Sequence, residues 1–194
     1  QIAGISGAVS GTQSQGMSNA VLNDDANIVL TNNGNLLIQS EMEMVNTTDA
    51  APLIDVGSTV GVGASFELNS GTFQTVADIQ NVEISGAHDV SVLATGDYET
   101  NADSEAGVTA GTAIGAAVAA MITDNRTRAI LSETTNPSNI TGDLEVSASH
   151  TAVANHQADA NSNGGDITVG AAVAIGVMQG GAEASIGNNM DVDG

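Results

Sequence analysis

The sequence predicts an all-β fold, specifically a parallel β-solenoid of about seven rungs built from a repeat of roughly 52–56 residues. Three observations predict this fold. They are a recurring unit that begins at a glycine, an alternation of apolar and polar residues, and a composition with 23 glycines but only two Phe, one Tyr and no Trp. A globular core of this size normally uses aromatic side chains for buried area, so a core of Val, Ile, Leu and Ala favours a thin, uniform cross-section.

The clearest copy of the unit is the stretch Ala113–Leu131, in which Gly115 opens a run of small and β-branched residues. A polar turn and a second apolar run follow. Similar segments begin at Gly170, at Gly63 and, more weakly, at Gly7, so these landmarks lie 52–56 residues apart. Such self-similarity is typical of repeat architectures, in which each unit buries its apolar face only against its neighbours.

A second glycine divides each unit into two segments, at Gly34, Gly86, Gly142 and Gly194. Residues 1–194 are therefore interpreted as a single repeat array with units at about 5–60, 61–112 and 113–167 and a partial unit at 168–194. The seven resulting segments, each 23–29 residues long, are the predicted rungs.

Strict alternation of apolar and polar residues follows the second glycines and predicts strands with one buried face. The predicted core residues are Leu36, Ile38, Val90, Val92, Leu144 and Val146. Polar stretches at 46–49, 95–104 and 151–165 come after these strands and are interpreted as loops or solvated strand edges.

A helix is the alternative for the alanine-rich residues 113–122, since alanine is the best helix former. The related segment after Gly63 instead shows strand alternation at Val62, Ala64, Phe66 and Leu68. Because equivalent positions of a repeat share a conformation, we expect strands in both segments.

Charge excludes several classes of function. The formal net charge is −21, and Arg126 and Arg128 are the only basic residues besides three histidines. Nucleic-acid binding needs Lys and Arg to displace counterions, and an anionic membrane surface repels such a chain. No apolar run is long enough to span a bilayer, so we expect no membrane insertion. A uniformly acidic surface suits an extracellular or cell-surface setting, with an ordinary acidic cytoplasmic protein as the alternative, while the absence of cysteine does not indicate a redox compartment.

Candidate chemistry is sparse. Acidic turns offer candidate Ca²⁺ ligands at Asp24, Asp25, Asp166, Asp191 and Asp193, although Asn, Asp and Gly are also ordinary turn residues. Three N-x-S/T sequons, at Asn46, Asn125 and Asn139, are expected in exposed loops as candidate glycosylation sites.

The histidines are isolated and expected to face solvent. No nucleophile motif occurs, and two arginines are too few for the polysaccharide-lyase chemistry of some β-helices, so no enzyme activity is expected.

The segments Gly115–Ala120, Gly142–Ser147 and Gly170–Ile175 resemble the repeats of very large secreted bacterial filamentous adhesins, the haemagglutinin and leukotoxin-type group. The resemblance covers essentially the whole chain and implies an extended β-solenoid displayed on a cell surface for attachment or self-association. The absence of lysine and the strong acidity depart from that pattern.

Two functional hypotheses remain. In the first, the chain is a structural adhesin segment or filament subunit that stacks head to tail on copies of itself or on further repeats of the same chain, since no capping segment is evident. In the second, it is a calcium- or glycan-binding surface module, without any other cofactor. Regular threonine rows, which would favour ice binding, are absent, because equivalent strand positions hold Gln39, Ser91 and Ser147.

Overall fold

The computed structural model describes residues 3–23, 26–55, 59–132, 138–188 and 190–193, and these residues form strands and connections without any helix. The strands are β1 (Ala3–Leu22), β2 (Asn27–Ala50), β3 (Leu53–Asp55), β4 (Val60–Ile79), β5 (Glu83–Glu105), β6 (Gly107–Leu131), β7 (Ser138–Ile140), β8 (Leu144–Asp159), β9 (Ser162–Ile186) and β10 (Met190–Val192).

The strands form two parallel sheets. In the first sheet β1 pairs with β4, β4 with β6 and β6 with β9, and short β3 also lies along β6. In the second sheet β2 pairs with β5 and β5 with β8, while β7 pairs with β5 and β10. Each strand therefore pairs with the equivalent strand of the next repeat, which confirms the predicted parallel β-solenoid.

The seven predicted segments correspond to seven long strands that alternate between the two sheets, so one full turn of the chain uses two segments. The pairing register follows the repeat. Gly61, Ala113 and Thr168, where the later predicted units begin, occupy one column across β4, β6 and β9. The landmark glycines Gly63, Gly115 and Gly170 occupy another.

Near the start of β5, where the pairing of β2 with β5 shifts register, the backbone requires glycine at Gly86, which has a φ of +68°. A Cβ atom there would collide with the carbonyl oxygen of Leu30 in the preceding turn. Left-handed backbone and close approach to a neighbouring chain are both conditions that glycine alone meets without strain.

The predicted core columns are confirmed. Leu36 pairs with Val90 and Val90 with Leu144, while the second column is Ile38, Val92 and Val146. All six side chains belong to the main hydrophobic cluster near the connections between the sheets, with Val90 and Val92 completely buried and the others half-buried.

The structure corrects several expectations about the strands. Of the two readings of the polar stretches, loops or solvated strand edges, the loop reading is wrong for residues 46–49, 95–104 and 151–159, which continue β2, β5 and β8. The predicted polar turn after Ile122 is also wrong, because these residues continue β6. In the first sheet, the alternating residues Phe66 and Leu68 face outward, while Glu67 faces the interior. Ser65 and Asn69, which flank Glu67 on the inner side of β4, hydrogen-bond to Ser104 and Asn46 of the second sheet, so the inner face of this strand is polar there.

No helix among the described residues is long and apolar enough to cross a membrane.

Candidate assembly and binding surfaces

The terminal strands of both sheets have one open edge. Among the described strands, β1 pairs only with β4 and β2 only with β5, while β9 pairs only with β6 at the other end. An unpaired edge presents a row of N–H and C=O groups that another strand can bind. Natural β-proteins block such edges with charges or proline, but β1 contains neither over its 20 residues.

Burial along the core columns shows where stacking stops. The inward side chains of the central strand β5, Val90 and Val92, are completely buried. Their neighbours in the same columns on the terminal strands, including Ile38 and Val146, are only half-buried. One more turn at either end would bury these side chains as completely as those of β5.

The outer surface of the second sheet is acidic, and we call it the acidic face. Its outward carboxylates are Glu41, Glu43, Asp49, Asp97, Glu99, Asp103, Glu105, Glu145 and Asp159. Some lie directly opposite one another on adjacent strands, as Glu43 does with Asp97 and Asp49 with Asp103. The same face carries a hydrogen-bonded column in which Asn101 donates to Thr47 (3.3 Å) and Asn155 donates to Asn101 (2.9 Å).

The outer surface of the first sheet is uncharged over much of its length. We call it the apolar face, and it consists of the outward side chains within residues 5–13, 62–70, 114–122 and 169–177. Its exposed large side chains are Ile5, Val9, Phe66, Leu68, Ile114, Ile122, Val169, Val173, Ile175 and Val177.

The two arginines lie at one border of the apolar face. The Arg126 guanidinium donates two hydrogen bonds of 3.0 Å to Asp124, and Arg128 donates one of 2.9 Å to Glu183 of the neighbouring strand. A depression of about 530 Å³ lies between them and is also lined by Gln74, Gln179 and the glycines 180 and 181. Each arginine at this depression is thus paired with a carboxylate that also lines it. We call the depression the arginine pocket.

The interior between the two sheets is polar in its middle part. Asn46 donates to Asn69 (2.5 Å), and the hydroxyls of Ser65 and Ser104 share a hydrogen bond of 2.7 Å. Further along, the Tyr98 hydroxyl lies 2.7 Å from Thr75 Oγ1. Buried polar groups are tolerated when paired in this way, so these bonds fix how the two sheets face each other.

Glu67 is one of the buried polar residues that have no hydrogen-bond partner among the described residues, as are the hydroxyls of Thr48, Thr100 and Thr123. Its side chain is completely buried, and neither carboxylate oxygen has a hydrogen-bond partner among the described residues. Loss of hydration, together with repulsion from Asp103 and Asp49, raises the pKa of Glu67 to about 7. A carboxyl group with this pKa changes its charge near neutral pH.

Of the five candidate calcium ligands, three lie within the described residues, in different parts of the fold. Asp24 and Asp25 lie outside the described residues, and Asp166 lies near the beginning of β9, whereas Asp191 and Asp193 lie in and just after β10. Within the described ranges, no group of three or more His, Cys, Asp or Glu is arranged to hold a metal ion.

The prediction that the sequons lie in exposed loops is wrong for two of the three. Asn46 and Asn125 lie in β2 and β6 with inward side chains that are 5% and 1% exposed, so neither amide can carry a glycan in the folded chain. Asn139 is exposed in β7 and remains a candidate.

The histidines are likewise divided. His88 is exposed, but His150 points inward, where its ring packs against Tyr98 (5.3 Å between centroids) and its Nδ1 lies 3.1 Å from Thr127 Oγ1. Burial lowers the pKa of His150. The expectation of solvent-facing histidines is therefore wrong for His150, which packs within the structure.

Comparison of the chain with protein-family models, with curated proteins and with solved structures finds no match. The resemblance to filamentous adhesin repeats therefore remains a prediction based on the sequence segments that carry it.

Proposed function

We propose that this chain is a structural, extracellular β-solenoid segment that stacks end to end, on copies of itself or on further repeats of the same chain, in a surface adhesin or fibre. One observation carries the proposal. Inward apolar side chains of the terminal strands are half-buried, although the same columns are completely buried in β5.

The terminal strands support this proposal further. Strand β1 offers an edge of 20 residues without charge or proline, which is the template that strand addition requires. A head-to-tail contact is heterologous, so its repetition gives a filament rather than a closed oligomer. The cell-surface setting and the attachment role rest on the resemblance to adhesin repeats and on the acidic composition.

A substitution on β2 tests end-to-end stacking. Ile38 points inward at the open end of its column, so Ile38→Lys places a charge where the next turn would pack. The matched control is Leu37→Lys on the same strand, since Leu37 points outward on the acidic face. We expect the wild-type chain and Leu37→Lys to form fibres in electron micrographs and fast-sedimenting species, and Ile38→Lys to form neither.

Circular dichroism must show that the Ile38→Lys chain keeps its β-structure. A wild-type chain that remains monomeric at every concentration, with terminal amides of β1 and β9 protected from hydrogen exchange, would contradict stacking.

The arginine pocket favours a second candidate function, binding of a neutral glycan. Its ion pairs sum to zero charge, and the side-chain amides of Gln74 and Gln179 have no hydrogen-bond partner among the described residues. A polyhydroxyl ligand uses such fixed donors and acceptors without meeting the repulsion that an anion would meet from a chain of net charge −21. NMR titration with neutral oligosaccharides tests this candidate: shifts confined to the pocket, lost in Gln179→Ala, are expected, and no shift would contradict it.

A further inference from the structure

The apolar face is a large surface without any charge. Its five columns hold twenty outward positions, of which only Gln13 and Ser70 are polar. None of the chain's 23 acidic residues lies among them. Exposed apolar patches of this kind mark interaction sites.

The face is large enough for a specific interface. Nine residues along each strand span about 30 Å, and four strands at 4.8 Å spacing cover about 19 Å, giving on the order of 570 Å². Two such faces in contact bury on the order of 1,100 Å², which exceeds the roughly 1,000 Å² expected of a biological interface.

The shape of the face is complementary to itself. The column of Ile5, Val62, Ile114 and Val169 and the column of Val9, Phe66, Val118 and Val173 form two ridges. Between them runs a groove lined by Gly7, Ala64, Ala116 and Ala171. A ridge of one copy therefore fits the groove of another, as side chains interdigitate when two sheets pack about 10 Å apart.

The distribution of charge selects the partner. When two copies meet through their apolar faces, their four sheets form one stack with the two acidic faces on its outer sides. At about 10 Å between neighbouring sheets, the acidic faces lie about 30 Å apart. That separation exceeds the Debye length of about 8 Å at physiological salt, so the repulsion between acidic faces is screened. An anionic lipid surface, in contrast, repels a chain of net charge −21.

We propose that the apolar face binds the apolar face of a second copy of this chain, so that solenoids associate laterally in pairs. This contact is perpendicular to end-to-end stacking and does not depend on it. If both contacts form, the product is a double filament whose two outer surfaces are acidic.

The test uses the Ile38→Lys chain, in which end-to-end stacking is blocked, so that failure of lateral pairing and failure of stacking are distinguished. Val173→Asp introduces a charge on the apolar face, and Val153→Asp introduces the same charge on the acidic face. The two valines are matched, at 48% and 45% exposed, on strands at the same end of the solenoid.

Sedimentation equilibrium in 0.15 M NaCl should show a dimer for the Ile38→Lys chain. The dimer dissociation constant should rise at least tenfold with Val173→Asp, about threefold or more with the milder Val173→Ser, and less than twofold with Val153→Asp. An Ile38→Lys chain that is monomeric at 100 µM would overturn the proposal, as would equal effects of the two Asp substitutions. Binding of the monomer to neutral phosphatidylcholine vesicles in place of dimerisation would also overturn it, because the face would then bind lipid.

Discussion

The carboxylate of Glu67 lies inside the solenoid, while the ring of its neighbour Phe66 lies on the outer surface, 43% exposed. On either side of Glu67, interior hydrogen bonds join Ser65 to Ser104 and Asn69 to Asn46. Glu67 thus lies between two paired neighbours in a polar interior, while its own carboxylate has no hydrogen-bond partner in the part of the chain that the structure describes. This arrangement gives the fold a group that titrates near neutral pH.

Glu67→Gln should remove a pH dependence of stability. The pKa of Glu67 is about 7 in the folded chain against 4.5 for an ordinary glutamate, so the folded state binds more protons between these values. Its contribution is fully present below pH 4.5 and is lost as pH rises through 7. Above pH 7 the Gln variant should therefore be more stable than wild type by about 1–3 kcal/mol, since a buried unpaired charge is removed. At pH 4.5 the two should be nearly equal.

Urea unfolding between pH 4.5 and 8.5 measures this difference. Glu145→Gln on the acidic face serves as the control, because Glu145 is exposed and lies opposite Ser91. Asp89 does not interfere with this measurement. The hydrogen bond from the backbone N–H of Asp143 and, to a smaller extent, the hydrogen bond with His88 lower the pKa of the Asp89 carboxyl from its usual 3.8, so its contribution to stability is lost only in acid. A Glu67→Gln effect that is the same at every pH would show that burial does not raise the pKa.

Tyr98→Phe should destabilise the chain by about 1–3 kcal/mol, because it leaves buried groups without a partner. The hydroxyl lies 2.7 Å from Thr75 Oγ1 and donates to the carbonyl oxygen of Arg126 at 3.1 Å. The ring would keep its stacking on Phe73, with centroids 6.1 Å apart.

A double-mutant cycle with Thr75→Val isolates the hydrogen bond. If Tyr98→Phe costs as much in the Thr75→Val chain as in wild type, the two hydroxyls do not interact.

The sequence predicts the parts of this fold in which the repeat and the alternation agree. Leu36, Val90 and Leu144 form a column because equivalent repeat positions pair in register and one face of each strand is apolar. The alternation rule fails where the interior is polar. In β4 it favours Phe66 over Glu67 as the buried residue, and no pattern within one strand reveals Asn46 as the partner of Asn69. That pairing depends on how the two sheets face each other, which the repeat period does not specify.

The core column of Ile38, Val92 and Val146 gives a graded prediction. Val92→Ala removes two methyl groups from a completely buried site and should cost about 2 kcal/mol, while Val146→Ala should cost about half as much in the isolated chain. Under conditions in which the chain stacks end to end, the next turn covers Val146 and the cost of its substitution should approach that of Val92. Equal costs in dilute, monomeric chain would contradict the partial burial of the terminal strands.

Asp97→Asn should stabilise the chain at low salt. Asp97 lies directly opposite Glu43 on the adjacent strand. Neighbouring strands lie about 4.8 Å apart, and two unit charges at that separation repel by roughly 0.9 kcal/mol at the dielectric constant of water. Removing one charge should therefore raise the free energy of unfolding by about 0.5–1 kcal/mol in 0.01 M NaCl. The gain should shrink in 1 M NaCl, where the Debye length is about 3 Å. Glu145→Gln, which removes a charge without a carboxylate opposite, is the matched control, and an equal gain from both would show that net charge, not the pair, is responsible.

The same acidic pairs provide a direct test of calcium binding. Sodium acts on them by screening alone, whereas a bound Ca²⁺ ion would also bridge the carboxylates that face each other across strands, such as Glu43 with Asp97 and Asp49 with Asp103. Melting temperatures in CaCl2 and in NaCl at equal ionic strength separate the two effects. If the chain binds calcium only when folded, the melting temperature should be higher in CaCl2, because a ligand that binds the native state alone stabilises it in proportion to the logarithm of its concentration. That excess should decrease in Asp97→Asn if the pair with Glu43 is a site. Identical melting temperatures in the two salts would show that the folded chain does not bind calcium and that salt acts on it by screening alone.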